Sequence, residues 1–149
     1  MTELIQETAD DIQYLESISN ALDIALNEAD LAQIKEELMQ SGYIRRKHTK
    51  KKVKLTSKPM HYISSDGYDM YVGKNNLQNE ELTFSFANGN DWWFHAKGIP
   101  GSHVVVRTEG KELPDRTFEE AAALAAWYSK GRDNDKVEID YIQRKHVKK

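Results

Sequence analysis

Residues 91–108 read DWWFHAKGIPGSHVVVRT, and this stretch decides the fold. Two runs of aromatic and β-branched residues, Asp91 to His95 and His103 to Thr108, lie on either side of the segment Gly98-Ile99-Pro100-Gly101. Aromatic and β-branched residues predict strands, and a run of glycine and proline fits only a tight loop. We therefore predict a two-stranded β-core whose strands are joined by this loop.

The alternation of side chains along each strand divides the core from a polar face. Trp92 and Phe94 point to one side, which we expect to be the hydrophobic core. The opposite side of the first strand carries Asp91, Trp93 and His95, and the same rule groups His103, Val105 and Arg107 on the second strand as a second polar face. That second face is where a ligand could bind.

The region before residue 91 predicts a hairpin followed by irregular structure. Two short apolar runs, His61 to Ile63 and Tyr68 to Val72, flank the turn residues Ser64-Ser65-Asp66-Gly67. Asn75 to Glu80 is too polar for a strand and predicts a loop. The alternating Leu82, Phe84 and Phe86 favour a strand, with a short helix as the alternative.

The region after residue 108 predicts one helix and one further strand. Thr117 and Glu120 have the spacing of a capping box, and the alanine-rich run from there to Tyr128 favours a helix that ends by Lys130-Gly131. Val137, Ile139 and Tyr141 then alternate as in a strand. The expected fold class is α+β, a small, mostly antiparallel sheet with one covering helix.

The first 42 residues predict a helical arm. Apolar residues at steps of three, four or seven form one helical stripe: Ile5, Ile12, Leu15, Ile18, Leu22 and Ala25. A stripe between polar faces needs a partner, as in a coiled coil, so self-association through this arm is one expectation. A second helix runs from near Asp30 to Ser41-Gly42. The expected domains are a 1–42 arm, a 43–58 linker and a 59–149 globular domain.

Composition excludes several classes of protein. The 149 residues include no cysteine, so disulfide frameworks, thiolate nucleophiles and cysteine metal sites are excluded. No apolar run approaches the roughly 20 residues of a membrane-spanning helix, and the acidic start differs from a basic signal peptide. We expect a cytoplasmic protein with no membrane partner.

The net charge of -3 hides a strong segregation of charge. Met1 to Gln40 holds ten acidic residues against the single basic Lys35, whereas Tyr43 to Lys58 holds eight basic residues and no acidic one. Six residues of this linker are candidate phosphate contacts: Arg45, Arg46, Lys47, Lys50, Lys51 and Lys52. The linker is either a solvated spacer or a contact for a polyanion.

Catalysis is not expected. Asp91, His95, Ser102 and His103 are residue types used by hydrolases, but adjacent strand residues such as Ser102 and His103 point to opposite faces. The histidines lack the spacing of a metal motif, and Gly73-Lys74 lacks the glycine spacing of a phosphate-binding loop. We therefore predict no catalytic residue, metal or cofactor.

Single-stranded RNA is the ligand that the polar face suits best. Trp93, His95 and His103 could stack on or hydrogen-bond to unpaired bases, unless their roles are packing and hydrogen bonds within the sheet. Candidate contacts to the RNA backbone are Lys74, Asn75, Asn76, Asn79, Ser102, Arg107, Arg144 and Lys145, with a polar turn as the alternative for 74–79. Asp91 would orient His95 or a loop amide, and Gly98, Pro100 and Gly101 would shape the loop.

Four ordered blocks of sequence resemble the NFACT family, in its NFACT-R domain. These are YVGKNNLQN at 71–79, DWWFHAKGIPGSHVV at 91–105, EAAALA with YSK at 120–130, and Val137 with Asp140-Tyr141. The resemblance covers about Tyr62 to Lys149, and the helices before it look like the distal part of the family's coiled-coil arm.

By this resemblance the domain is expected to be an RNA-binding module. Full-length members bind large ribosomal subunits that carry an obstructed nascent chain. They recruit transfer RNA, alanyl-tRNA in bacteria, to add a tail without a messenger. Expected partners are then ribosomal RNA and proteins, tRNA and the remaining NFACT domains. Some members are also named fibronectin-binding proteins, so an adhesin is the rival function. Further C-terminal strands of the family are missing here, which suggests a fragment of a longer protein.

Overall fold

The computed structural model describes residues 2–43 and 57–148, with side chains from residue 7 onward. The helices are α1 (Thr2–Ile24), α2 (Glu28–Gln40), α3 (Asn76–Glu81) and α4 (Asp115–Trp127). The strands are β1 (Met60–Ile63), β2 (Asp69–Val72), β3 (Trp92–Ala96), β4 (Val104–Val106) and β5 (Ile139–Gln143). A π-helical turn, Leu82–Phe86, follows α3, and a 3₁₀ turn, Arg144–His146, follows β5. The predicted α+β class is confirmed.

In the described ranges the strands form one antiparallel sheet in the order β1-β2-β4-β3-β5. The predicted pair is therefore the centre of a five-stranded sheet, with Phe94 opposite Val104. The predicted hairpin is also present, and Gly67 takes the positive φ of 88° that its turn requires.

The hydrophobic core lies between the sheet and α4. Phe94 is 1% exposed and packs with Val104 and Val106 against Ala121 and Ala125 of the helix, all fully buried. Burying a side chain the size of Phe94 contributes roughly 1.5–3 kcal/mol. The face that carries Trp92 and Phe94 is thus the core, as the alternation predicts.

The segment predicted as a loop, residues 75–80, is instead the helix α3. The Asn75 side chain accepts a hydrogen bond from the Gln78 amide at 3.0 Å and so caps the first turn. Leu82–Phe86 continues from this helix as a π-helical turn rather than as a strand. The helical alternative for residues 82–86 is therefore the right one.

The predicted capping box is wrong, because α4 begins at Asp115, before Thr117. The Thr117 hydroxyl lies 3.0 Å from the Ser64 hydroxyl and 3.1 Å from the Asp66 carboxylate. The Glu120 carboxylate accepts a hydrogen bond from the Ser65 amide at 3.0 Å. Both side chains therefore fasten the β1–β2 turn to α4. The helix ends at Trp127 with Tyr128 as its cap, within the predicted limit of Lys130-Gly131.

The arm helices pack on each other through only part of the predicted stripe. Ile18 is buried together with Ala21 and Ile34, while Ile12 and Leu22 are 54% and 50% exposed. The coiled-coil pairing remains a prediction, and the side chain of Ile5 lies outside the described residues. None of the helices in the described ranges is long and apolar enough to cross a membrane.

Candidate nucleic-acid interface

Lys74 is a buried contact between the arm and the sheet domain. Its ammonium lies 3.0 Å from the Asp30 carboxylate of α2, and the two side chains are 10% and 1% exposed. The same carboxylate accepts hydrogen bonds from the Ser57 hydroxyl at 2.6 Å and the Leu26 amide at 2.9 Å. Burial alone would raise the pKa of Asp30, but these three donors outweigh it and lower the pKa. Lys74 therefore does not face solvent as a phosphate contact would.

The three asparagines predicted to touch RNA hold α3 in place. The Asn75 amide donates to the Gln33 side chain at 2.7 Å, and the Asn76 amide donates to Glu37 at 3.0 Å. The Asn79 side chain accepts from the His103 backbone amide at 3.1 Å. Asn75 and Asn79 are buried, and all three bind protein groups.

Trp93, His95 and His103 form one ring cluster on the polar face of the sheet. Trp93 stacks on His95 with ring centroids 5.7 Å apart, and His103 meets both rings edge-on at 5.2 and 5.4 Å. The His103 Nδ1 lies 2.7 Å from the Thr83 hydroxyl. Burial and then the neighbouring His95 lower the pKa of His103 to about 4. Burial also lowers the pKa of His95, so both rings are neutral at pH 7.

A cleft of about 610 Å³ opens beside the two histidines, between α1, α3 and the β3–β4 loop. His95, His103 and Phe84 line it, and the segment Gly98 to Gly101 forms one wall. Trp93 does not line the cleft, and its ring nitrogen is buried. The predicted stacking residues are thus brought together, but mainly by packing on one another.

Ser102 faces a separate, much smaller cavity lined by Asn20 and Lys74. It is 1% exposed, so it is no surface contact for RNA. Ser102 and His103 therefore point into different spaces and cannot act as a nucleophile and its base. Within the described ranges, no three histidine, aspartate or glutamate side chains are grouped as metal ligands.

Asp91 anchors the loop and the arginine at the end of the polar face. Its carboxylate accepts hydrogen bonds from the Asn88 amide at 2.8 Å and the Thr108 amide at 3.0 Å. The Arg107 Nε lies 3.1 Å from Asp91 Oδ2, but its N–H does not point at that oxygen, so the contact is an ion pair without a hydrogen bond. The sequence predicts that Asp91 orients either His95 or a loop amide, and in the structure it binds backbone amides.

The predicted cations Arg107, Arg144 and Lys145 lie around the π-helical turn. The Arg107 guanidinium lies 4.6 Å above the Phe86 ring, and the Arg144 guanidinium 4.9 Å above the Phe84 ring. Arg144 also donates to the Thr83 carbonyl, and exposed Lys145 donates its amide to the Gly89 carbonyl at 3.0 Å. We call Phe84, Phe86, Arg107, Arg144 and Lys145 the arginine–phenylalanine surface.

The sequence does not predict Phe84 and Phe86 as site residues, because their alternation favours a strand. The signal that could have placed them is the helix cap at Asn75, since the π-helical turn that carries both rings continues from that helix. The linker residues Arg45, Arg46, Lys47, Lys50, Lys51 and Lys52 lie outside the described residues.

Comparison with known proteins identifies the family. Residues 58–149 match the NFACT protein RNA binding domain, and residues 1–57 match the NFACT N-terminal and middle domains. The chain belongs to the NFACT family. Within this family, the chain is 45% identical over 150 residues to the Rqc2 homolog RqcH of Streptococcus suis (strain 05ZYH33). It is 40% identical over 152 residues to the Rqc2 homolog RqcH of Bacillus subtilis (strain 168).

These NFACT relatives are longer than the chain. The match covers 100% of the chain and 27% of the S. suis relative, and 99% of the chain and 26% of the B. subtilis relative. A solved structure shares the fold with a TM-score of 0.87 and 45% identity, over 97% of this chain and 57% of that one. It is the C-terminal part of the fibronectin/fibrinogen-binding protein from S. suis.

Proposed function

We propose that this chain is the RNA-binding module of a ribosome-associated quality-control factor. The observation that carries the proposal is the pairing of Arg107 with Phe86 and of Arg144 with Phe84 around one π-helical turn. The match of residues 58–149 to the NFACT RNA binding domain supports it, as do relatives named Rqc2 homolog RqcH.

The arginine–phenylalanine surface suits an RNA backbone for physical reasons. A guanidinium that lies on a ring keeps its N–H edge free for phosphate oxygens, and the ring limits the entropy lost on binding. The Asp91 carboxylate offsets part of the Arg107 charge, so Arg144 and Lys145 supply most of the attraction. The basic linker at 43–58 would add sequence-independent phosphate contacts.

At the level of the whole protein, we propose that the module works with the remaining NFACT domains in the cytoplasm. There the factor binds obstructed large ribosomal subunits and helps to recruit tRNA, alanyl-tRNA in bacteria, for template-free tailing of the stalled chain. The module itself is non-catalytic and holds RNA. The exposed Ile12 and Leu22 of the arm would be covered by a second helix, from the same protein or another copy.

The test is binding of the 149-residue chain to purified large ribosomal subunits and to free tRNA, titrated with salt. Each phosphate contact contributes about 0.9 to the slope of log affinity against log salt. Replacing both cations in Arg144→Gln/Lys145→Gln should therefore lower the slope by about 1–2 and weaken binding.

The matched control is Lys97→Gln/Lys111→Gln, which removes two exposed cations outside the arginine–phenylalanine surface. It should change the slope much less. Equal slopes for the two double variants would contradict the assignment of RNA contacts to Arg144 and Lys145.

The fibronectin-binding function is the alternative, and the name of the solved S. suis structure is the observation that favours it. That protein and the relatives named RqcH resemble this chain at 40–46% identity, so the name alone does not separate the functions. Fibronectin binding that survives a polyanion competitor, without binding to ribosomal subunits, would favour the adhesin.

A further inference from the structure

Four side chains on the polar face of the sheet form a continuous stack that reaches solvent. His61 of β1 stacks on Tyr71 of β2 with ring centroids 4.6 Å apart and planes 7° from parallel. Phe86 meets Tyr71 edge-on at 4.9 Å, and the Arg107 guanidinium lies 4.6 Å above Phe86. We call His61, Tyr71, Phe86 and Arg107 the His61–Arg107 stack.

The stack is ordered before any ligand arrives, and its ends are open. The His61 Nε2 lies 2.8 Å from the Asp69 carboxylate, which fixes the plane of the imidazole. The His61 side chain is 45% exposed although Tyr71 covers one of its faces, so the opposite face is accessible. Phe86 is 38% exposed, and the Arg107 side chain 27%. A rigid ring with a free face loses little entropy when another ring stacks on it.

We propose that the His61–Arg107 stack is a platform for unpaired nucleobases of single-stranded RNA. One base lies on the free face of His61, and the phosphates beside it are held by Arg107 at one end and by Lys58 at the other. This inference rests on the proposed function, since it names the site and the form of RNA that the module reads.

Charge on both sides of the stack favours a nucleic-acid strand. Lys58 is exposed three residues before His61 and ends the basic run that begins at Arg45. Arg107 supplies the cation at the other end. The carboxylates of Asp69 and Asp91 contact the stack, and both already have partners. Asp69 contacts His61, and Asp91 contacts Arg107 and accepts from two amides, which reduces their repulsion of phosphate.

The geometry also selects for single strands over duplexes. Bases in a duplex are stacked on one another and present only their edges, whereas an unpaired base can offer its flat face to an aromatic ring. The Trp93–His95–His103 cluster cannot take this role as well, because its rings pack on one another and the Trp93 nitrogen is buried.

The experiment compares two fluorescein-labelled probes of equal length, an oligouridylate and its abasic counterpart, which carries the same phosphates without bases. Binding to the 149-residue chain is measured by anisotropy at fixed salt. The variants are His61→Ala and Phe86→Leu, the second of which keeps apolar bulk and removes the ring. The control is Trp127→Ala, which removes a 59% exposed ring from α4, on the opposite side of the sheet.

We expect the wild-type chain to prefer the oligouridylate over the abasic probe. A base stacked on an aromatic side chain contributes about 1–3 kcal/mol, so His61→Ala should lower the affinity for the oligouridylate by about 5- to 150-fold. Phe86→Leu removes the ring beneath Arg107 rather than the ring that carries the base, so it should lower this affinity less. Affinity of His61→Ala for the abasic probe should hold within about twofold, and Trp127→Ala should match the wild type. Thermal unfolding of each variant shows whether it retains the fold.

Three results would overturn the inference, and they differ in what they mean for the proposed function. If folded His61→Ala and Phe86→Leu both bind the oligouridylate like the wild type, RNA binds elsewhere and only the stack is excluded. If the wild type binds both probes with equal affinity, the chain binds RNA through its phosphates alone and no base stacks on the protein. If the chain binds neither probe nor ribosomal subunits, the proposed function fails too.

Discussion

Removing the charge of Lys74 should destabilise the chain far more than removing an exposed lysine. The substitution Lys74→Met keeps the length and apolar stem of the side chain but leaves the Asp30 carboxylate, 1% exposed, without its cation. Breaking one side of a buried ion pair costs about 3–5 kcal/mol, because the remaining charge stays desolvated. Asp30 still accepts hydrogen bonds from Ser57 and Leu26, so we expect about 3 kcal/mol.

The reverse substitution should cost more. Asp30→Ala leaves the Lys74 ammonium buried and also removes the acceptor for the Ser57 hydroxyl and the Leu26 amide. We therefore expect the upper end of the range, about 5 kcal/mol. Because the two residues share one interaction, the double variant should lose less than the sum of the single ones, by at least about 1 kcal/mol.

The assay is urea unfolding followed by both tryptophan fluorescence and far-ultraviolet circular dichroism. With a slope of about 2 kcal/mol/M, the midpoint should fall by roughly 1.5 M in Lys74→Met and 2.5 M in Asp30→Ala. All three tryptophans lie in the sheet domain, whereas the circular dichroism also reports the arm helices. Transitions that separate in the variants would show that the arm detaches first.

The control is Lys97→Met, which breaks a pair with Glu138 at 3.9 Å whose side chains are 63% and 82% exposed. An exposed pair contributes about 0–1 kcal/mol, so its midpoint should hardly move. If Lys74→Met behaves like Lys97→Met, the buried pair does not hold the arm to the sheet domain, and the reasoning is refuted.

Two further predictions concern the site. Burial lowers the pKa of His103 from about 6.5 in the unfolded chain to about 4 in the fold. The neutral ring therefore contributes its full stability above pH 6.5, and this contribution to the free energy of unfolding is lost as the pH falls toward 4. His103→Gln should flatten the loss of stability between pH 6.5 and 4; an unchanged pH profile would refute this. Gly101→Ala should cost about 1–3 kcal/mol, because its Cβ would lie 2.9 Å from Ser129 Cβ. Gly89→Ala, with 3.5 Å to its nearest neighbour, is the near-neutral control in urea unfolding.

Local patterns were sufficient to predict the centre of the fold. Trp92 and Phe94 alternate with Trp93 and His95 along β3, and this period of two correctly assigned one face of the strand to the core. The turn at Gly67 and the loop at Gly98 have positive φ values of 88° and 70°, which is the conformation that their glycines favour.

The polar segment from Lys74 to Asn79 could not be interpreted from the sequence alone. Asparagine and lysine are typical of exposed turns, and nothing local shows that Asp30, 44 positions earlier, supplies the counter-charge. Lys74 can be buried only because it pairs with Asp30 of the arm. The hydrophobic periodicity of neither segment indicates this pairing. Lys74 and Asn75 are therefore buried against the arm, and Asn79 against His103, where the sequence predicts exposed RNA contacts.

The chemistry of that contact bears on how the module is oriented. Asp30 and Lys74, and likewise Glu37 and Asn76, join the two regions that match separate NFACT domains, 1–57 and 58–149. Apolar surfaces can slide with little penalty, whereas a buried charge or amide loses its partner when displaced by an ångström or two. A polar junction of this kind therefore fixes the angle between arm and sheet. Because the His61–Arg107 stack lies on that sheet, any position that the arm would take on a ribosome under the proposed function would also set the direction in which the stack faces.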